Sequence, residues 1–547
     1  VSTLDITAFQ GANLAFDELL LPAGVGVQSL NQRPGYGDLR PWNQPGSAVA
    51  TVPTSPQRLT IHRMGQDVAS EADYWLSWST VVHAVRGFDT DDTTERTYFS
   101  GSGTPKWTDN VIALSGGAPY PQATRELSVP APTTALTAAV NTASATGTDQ
   151  AYLWVYTFVN DLGWESAPSP VSNTLLNKPG TTFDLSGFDT APSGAFGITK
   201  IRLYRFVPGT GTAGDYFFLR EWVIGSTPAN PIDDARSVGS DPLQTTGWRP
   251  PPADGTCLTK LWGGMFSILS GKTVRFCEPY KHYAWPIAYE IGLPSKAIAQ
   301  AVWGQRLLVL TTGDAYLING TAPESMDDEP AKINRPCASV RGVVEFNEGE
   351  AYKGVVWPSE EGLCWYGDGG FRLLTGDMLT REQWQALNPS TMIASRVLGF
   401  YICFYEDGAT RKGFLIDPKN PQGIYFLGTG YHALYRDPIS DRLYVLDGGN
   451  VRRWDAGSAM TATFKSKLIQ TPEPTCMQAW EVIAKGYPVT LKVWADGLLI
   501  LDRSITDDDS VRPSVAKYAD QFQVEVSSAA RVIAVRGGTD VDDLRRP

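Results

Sequence analysis

From about residue 258 to 457 the chain repeats one pattern: an apolar run, a Gly-containing turn, a second apolar run and another turn. The copies read LWGGMFSILSGKTVRFCEP (261–279), VWGQRLLVLTTGDAYLING (302–320), GVVWPSEEGLCWYGDGGFRLLT (354–375), GFYICFYEDGATRKGFLID (399–417) and ALYRDPISDRLYVLDGGNVRRWDAG (433–457), about 40 to 50 residues apart. Short apolar runs punctuated by glycine are strands and turns. Meanders at this period predict the blades of a β-propeller, which protects sheet edges by arranging sheets around an axis. RLTIHRM, DYWLSWSTVVHAVRG and RTYFSGSGTPKW add a first meander over 56–129, so that six or seven blades close through the N-terminal part. An irregular array of β-sandwiches has the same strand spacing, because spacing alone does not fix closure.

Residues 130–232 break the repeat. PAPTTALTAAV, AYLWVYTFVND, TTFDLSG, TKIRLYRF and DYFFLREWVI have the strand spacing of an inserted Ig/fibronectin III-like sandwich. In AYLWVYTF, Tyr152, Trp154, Tyr156 and Phe158 share one face while Leu153 and Val155 take the other. Both faces are apolar, so another domain or subunit is expected to cover one of them. The repeats occupy 233–457. Over 458–547 TATFKSKLI, QAWEVIAKG, VTLKVWADGLLILDRSI, QFQVEVSS and RVIAVRGG predict a C-terminal β-sandwich ending in a solvated DVDDLRRP tail. Helix is scarce. TREQWQAL fits one, with Thr380 and Gln383 as a capping box and Asn388-Pro389 as its stop.

Composition sharpens this mainly β reading. Of the 547 residues 42% are hydrophobic, enough for large cores, and 53 Gly with 38 Pro favour many turns over long helices. The net charge of −12, with dispersed Lys and Arg, argues against a groove that neutralises phosphates. No run of 18 apolar residues predicts a membrane-spanning segment, and VSTLDITAFQ has no signal-peptide pattern. Cys257, Cys277, Cys337, Cys364, Cys403 and Cys476 form no CxxC and read as buried thiols made in a reducing cytoplasm.

Motifs for chemistry nearly match and then fail. GTGTAG (209–214) satisfies GxGxxG but links strand to strand, so it reads as a hairpin loop. SGKT (270–273) resembles the end of a P-loop, yet Phe266 stands at the first glycine, which makes it a turn. His62, His83, His282 and His432 show no metal-ligand spacing, and there is no GxSxG elbow. Asp89, Asp91, Asp92 and Glu95 fail as an EF-hand, because Thr94 replaces the glycine and Ser100 the bidentate glutamate. That cluster and Asp507 to Asp509 read as solvated turns. A glycosidase needs only two placed carboxylates, but no SxDxGxTW box is present. No catalytic, cofactor-binding or metal residue is therefore assigned, no cofactor is implied, and the chain is not expected to be an enzyme.

FDELLLPAGVGVQSLNQRPGYGDLRPW (17–42) resembles the opening of the tail nozzle proteins of short-tailed bacteriophages, the podovirus tail tubular protein B-like group. WVYTFVNDLGWESAPSP (154–170), WRPPP (248–252), VRFCEPYKHYAWP (274–286), LVLTTGDAYLINGTAPESM (308–326), EEGLCWYG (360–367) and LTREQWQALNPS (379–390) follow in the same order, with TFKSKLI and YPVTLKVWADG near the C-terminus. One departure falls near 282, where the family has Pro-His before the tryptophan and this chain has Lys281 before His282. The resemblance implies a structural virion protein of the tail, assembled in the host bacterial cytoplasm as a homo-hexameric ring. Its partners would be the portal and adaptor complex, which residues 1–55 would contact, and tail fibres or spikes; double-stranded DNA would pass without specific binding. An acidic composition suits such a duct, since each neutralising cation would release counterions and hold the polymer. Two other readings stay open: a glycan-binding or glycan-hydrolysing propeller of the virion, and a receptor-binding module in the inserted sandwich.

Overall fold

Apolar runs closed by glycine turns become antiparallel meanders in the computed structural model, which describes residues 3–64, 70–89, 91–208, 214–348 and 352–544. The chain is mainly β, with 45% strand and 4% helix. It divides into two compact units. One comprises Val1–Val81, Ile298–Leu317 and Pro330–Pro547; the other comprises Val82–Ala297 and Ile318–Glu329.

In the first unit, Val344–Glu348, Tyr352–Ser359, Gly362–Gly367 and Gly370–Leu373 form one four-stranded meander. A second runs Ile393–Val397, Phe400–Asp407, Thr410–Ile416 and Tyr425–Leu427. The repeats at 261–279, 302–320 and 399–417 cover the central strand pair of a four-stranded meander, whereas those at 354–375 and 433–457 take in an outer strand as well. The sheet Leu434–Arg436, Leu443–Asp447 and Asn450–Arg453 takes its fourth strand, Ala48–Thr51, from the N-terminal segment.

That segment is built into its own chain at three places. Besides Ala48–Thr51, Thr3–Ile6 pairs with Val532–Gly538, and Gly26–Leu30 lies between Tyr425–Leu427 and Ala462–Ser466. The last contact makes one continuous sheet from Ile393 to the C-terminal strands Ala519–Ser528, Val489–Ala495 and Leu498–Ile505. Gly26 is required there, because a Cβ would stand 2.3 Å from the Lys465 carbonyl oxygen. The C-terminal core gathers Phe9, Phe464, Trp480, Leu491, Val493, Phe522, Val524 and Val535. The DVDDLRRP tail departs from the solvated expectation, since Val541–Leu544 makes a helical turn that buries Leu544. Residues 545–547 lie outside the described residues.

The helix appears as expected at Arg381–Gln385. Thr380 and Gln383 cap it reciprocally, Trp384 is its buried anchor, and Asn388 turns left-handed at φ 48° before Pro389. The chain over 56–129 gives strands to two sheets: Thr60–Arg63 pairs with Trp75–Trp78, whereas His83–Arg86, Thr97–Ser100, Lys106–Thr108 and Arg125–Glu126 form another.

The second unit holds that last sheet, the meander Thr256–Lys260, Phe266–Ser270, Thr273–Phe276 and Glu290–Gly292, and the strands of the 130–232 segment. Trp154–Asn160, Ile198–Pro208 and Gly214–Val223 make a three-stranded sheet, with Thr137–Thr142 against Thr182–Ser186 and Gln150–Tyr152 against Leu175–Asn177. Their shared core contains Tyr152, Trp154, Tyr156, Phe158, Phe183, Ile201 and Leu203. All six cysteines are buried, and burial pushes the Cys277 thiol up to about 12.

Candidate functional site

Alternation along Ile198–Pro208 sets the site. Ile201 and Leu203 enter the core, so Lys200, Arg202 and Tyr204 must project from the opposite face. The same face of Trp154–Asn160 carries Thr157, in register with Arg202, and Glu221 lies across from Arg202 on the next strand.

Glu165 reaches this face from the loop that follows Trp154–Asn160. Asn160 Oδ1 accepts the Leu162 and Trp164 amides at 3.0 and 2.8 Å, folding the loop back on its own strand. Beyond Glu165, SAPSPVS places serines at every third residue, the period of polyproline II. The hydroxyls of Ser166, Ser169 and Ser172 accept the amides of Phe158, Tyr156 and Trp154 at 3.0, 3.2 and 3.0 Å. The serine amides donate back to the carbonyls of the same three residues. A proline-containing run thereby seals an edge strand and holds Glu165 in place.

Glu165 accepts hydrogen bonds from Thr157 Oγ1 and the Tyr204 hydroxyl at 2.6 Å each, and from Arg202 Nη1 at 2.8 Å. Glu221 accepts from Arg202 Nε at 2.7 Å and Lys200 Nζ at 2.6 Å. Burial opposes charge on Glu221, but the bonds from Lys200 and Arg202 outweigh it and hold the carboxyl below its usual range. Burial, reinforced by the Glu165 charge, raises the Tyr204 phenol. On the face of AYLWVYTF opposite the aromatics, Thr157 therefore meets an ion-pair network within the same unit.

Two more segments wall the space above this network. Residues 239–248 run beside Gly214–Val223, with the Gly239 and Leu243 amides donating to Phe218 and Tyr216. They bring Asp241, Thr245 and Trp248. The turn after Thr273–Phe276 brings Lys281 and Tyr283, anchored by Trp285, whose indole donates to the His282 carbonyl at 2.9 Å. Tyr283 stacks on Trp164 at 4.9 Å and meets Trp248 edge-to-face at 5.8 Å, and Lys281 Nζ lies 4.7 Å from the Trp248 ring centre. The cleft they wall opens to solvent and measures about 620 Å³. Gly163, Glu165, Trp248, Lys281 and Tyr283 line part of it, and the rest comes from residues 202–221 and 239–245.

A second cavity of about 410 Å³ is lined by Phe88, Asp92, Arg96, Tyr98, Trp164, Tyr280 and His282. Phe266 stacks on the His282 ring at 4.3 Å, and Nε2 is buried without a hydrogen-bond partner. Burial, then the charges of Lys260 and Arg96, lower the His282 pKa to about 4.

The other motif residues take structural positions. Ser270 pairs with Thr273 across a tight turn, and Gly271 has φ +57°. Gly209 to Ala213 of GTGTAG lie outside the described residues, and the strands flanking them pair antiparallel up to Pro208 and Gly214. Asp92 accepts the Thr94 and Arg96 amides, Glu95 pairs with Arg86 at 2.8 Å, and Asp507 accepts the Asp509 amide. Both acidic clusters are turns. His62 packs edge-on against Tyr435, and His432 lines a separate cavity of about 310 Å³. Among the described residues no three His, Cys, Asp or Glu side chains gather as a metal site.

No family model and no curated protein matches the chain. Solved structures with some likeness include the extracellular domain of a hybrid two-component system from B. thetaiotaomicron, 10% identical over 69% of this chain and 47% of that one, with a TM-score of 0.23. The chain therefore spans about half the length of that protein. The AfRom2 CNH domain is 9% identical over 71% of this chain and 99% of its own, and apo AztD from Citrobacter koseri 11% identical over 71% and 100%, each with a TM-score of 0.25. Scores of this size establish no shared fold.

Proposed function

We propose that the protein is a structural component of a short-tailed phage virion, a tail nozzle whose copies assemble into a hexameric ring through which DNA leaves. The observation that carries this reading is the order of the shared segments, which runs from residue 17 to the C-terminal YPVTLKVWADG. Within the reading, the four-stranded meanders are propeller blades. The strand Ala48–Thr51 supports this, since it completes the sheet of Leu434–Arg453 from the opposite end of the sequence, as a blade that closes a ring requires.

Apolar surface and charge are consistent with assembly. Leu498, Leu499, Val515 and Tyr518 stand exposed near one end of the C-terminal sheet, where Lys517 Nζ donates to the Ala495 carbonyl. A cyclic assembly covers such surface twice per subunit, by two different patches. Six acidic chains repel a polyanion in transit if their carboxylates face inward.

The test is native mass measurement and electron microscopy of the full chain, alone and with the adaptor protein of the same tail. Six copies of a 59.5 kDa chain give a ring of about 360 kDa with an open centre. A monomer in both preparations, or a ring with a basic lining, overturns the reading.

A further inference from the structure

We propose that the cavity walled by Glu165, Arg202, Glu221, Thr245, Trp248 and Tyr283 binds a neutral saccharide of one or two hexose units. This goes beyond the nozzle reading and does not depend on ring assembly.

Size is the first ground. A volume of about 620 Å³ falls within the roughly 300–1,000 Å³ of small-molecule pockets. The second is the chemistry of the walls. Trp248 and Tyr283 offer aromatic surface for the C–H face of a sugar ring, and Trp164 stacked behind Tyr283 fixes that ring before any ligand arrives. Each carboxylate has acceptor capacity beyond its bonds to protein donors, available to sugar hydroxyls. The third is an unmet polar group. Thr245 lines the cavity at 4% exposure, and its Oγ1 has no hydrogen-bond partner. Buried hydroxyls are nearly always satisfied, and a ligand hydroxyl would satisfy this one.

Charge selects the class of ligand. An anion entering the cavity meets Glu165, Glu221 and Asp241, and of the two lining cations Arg202 is already paired with two carboxylates while Lys281 Nζ lies 4.7 Å from the Trp248 ring centre. A cation gains little, because Arg202 already bridges Glu165 and Glu221, and Lys200 adds a second positive charge on Glu221. A neutral polyol, with donors, acceptors and one apolar face, suits both the network and the aromatic wall. Cleavage is no part of the proposal, since glycoside hydrolysis requires a carboxylic acid with raised pKa and Glu221 is held ionised.

The experiment uses the full chain. Glucose, galactose, mannose, N-acetylglucosamine, maltose, cellobiose and lactose are titrated by saturation-transfer NMR and tryptophan fluorescence, with arginine methyl ester and glucuronate as charged probes. At least one neutral saccharide is expected to bind with saturation. Trp248→Ala should weaken it at least tenfold and Thr245→Val at least threefold. Trp248→Phe, which keeps an aromatic face, should retain most of the affinity and shows whether the alanine variant acts by stacking or by disturbing the fold. Absence of binding across the neutral panel, binding of the charged probes alone, or unchanged affinity in Trp248→Ala overturns the proposal. Ring assembly is unaffected by either result, so this failure is separable from failure of the nozzle reading.

Discussion

Trp154 shows how one side chain serves packing and polarity together. Its ring is fully buried against Tyr152 and Phe183, and its indole N–H donates to Asp233 at 2.9 Å, a carboxylate also paired with Arg205 at 2.9 Å. Trp154→Ala should cost about 3–5 kcal/mol in urea unfolding, as large-to-small changes of buried tryptophan do. An unchanged midpoint would show that the ring lies outside the cooperative core. His282 makes a prediction of a different kind. Its folded pKa of about 4 lies below the ordinary 6.5, so between these values the unfolded chain binds a proton that the native chain refuses. Stability should fall as pH drops from 6.5 to 4, by roughly 3 kcal/mol in total, and level off below. His282→Phe, filling the same space beside Phe88 and Phe266, should flatten that slope when denaturant midpoints are compared at pH 7 and 4.5. An undiminished slope in the variant would assign the acid sensitivity to other groups.

At the scale of elements, the SAPSPVS run behaves as a strand without being one. It satisfies three amides of Trp154–Asn160 through side chains spaced by the polyproline period, where prolines leave too few backbone donors for a ladder. Ser169→Ala should leave the Tyr156 amide buried and unpaired at about 1–3 kcal/mol. Hydrogen exchange at Tyr156 should quicken more than at residues in the facing strand, and equal protection in both proteins would refute the role. The capping box at Thr380 and Gln383 was legible in the sequence, whereas the serine period gains its meaning only from the strand amides that the fold sets against it. The ion-pair network was not legible. Thr157, Glu165, Arg202 and Glu221 are brought together by strand register and a loop reversal, and no local pattern encodes either.

For the whole molecule, the sheets that repeat and the segments that resemble tail nozzles lead to the same measurement. On the proposed nozzle reading, six chains of 59.5 kDa give a particle of about 360 kDa with sixfold symmetry. With net charge −12 per chain, the particle should not retain DNA on a filter at physiological salt. Retention that weakens steeply with added salt would reveal a basic passage and defeat the reading of an inert duct.

Local physics determined what one segment can decide alone. Apolar runs of four to eight residues between glycine turns make strands, a capped TREQWQAL makes a helix, and lone cysteines within apolar runs become buried thiols. Tertiary structure decided every question that joins distant positions. It put Gly26–Leu30 between strands some 400 residues further on, completed the Leu434–Arg453 sheet with Ala48–Thr51, and split the 56–129 segment between two sheets. It also walled a polar cavity with residues from five separate stretches. Strand pairing is the reason, because backbone hydrogen bonds between strands are the same for any partner. The choice among partners is made by burial and shape, which exist only once the chain has folded.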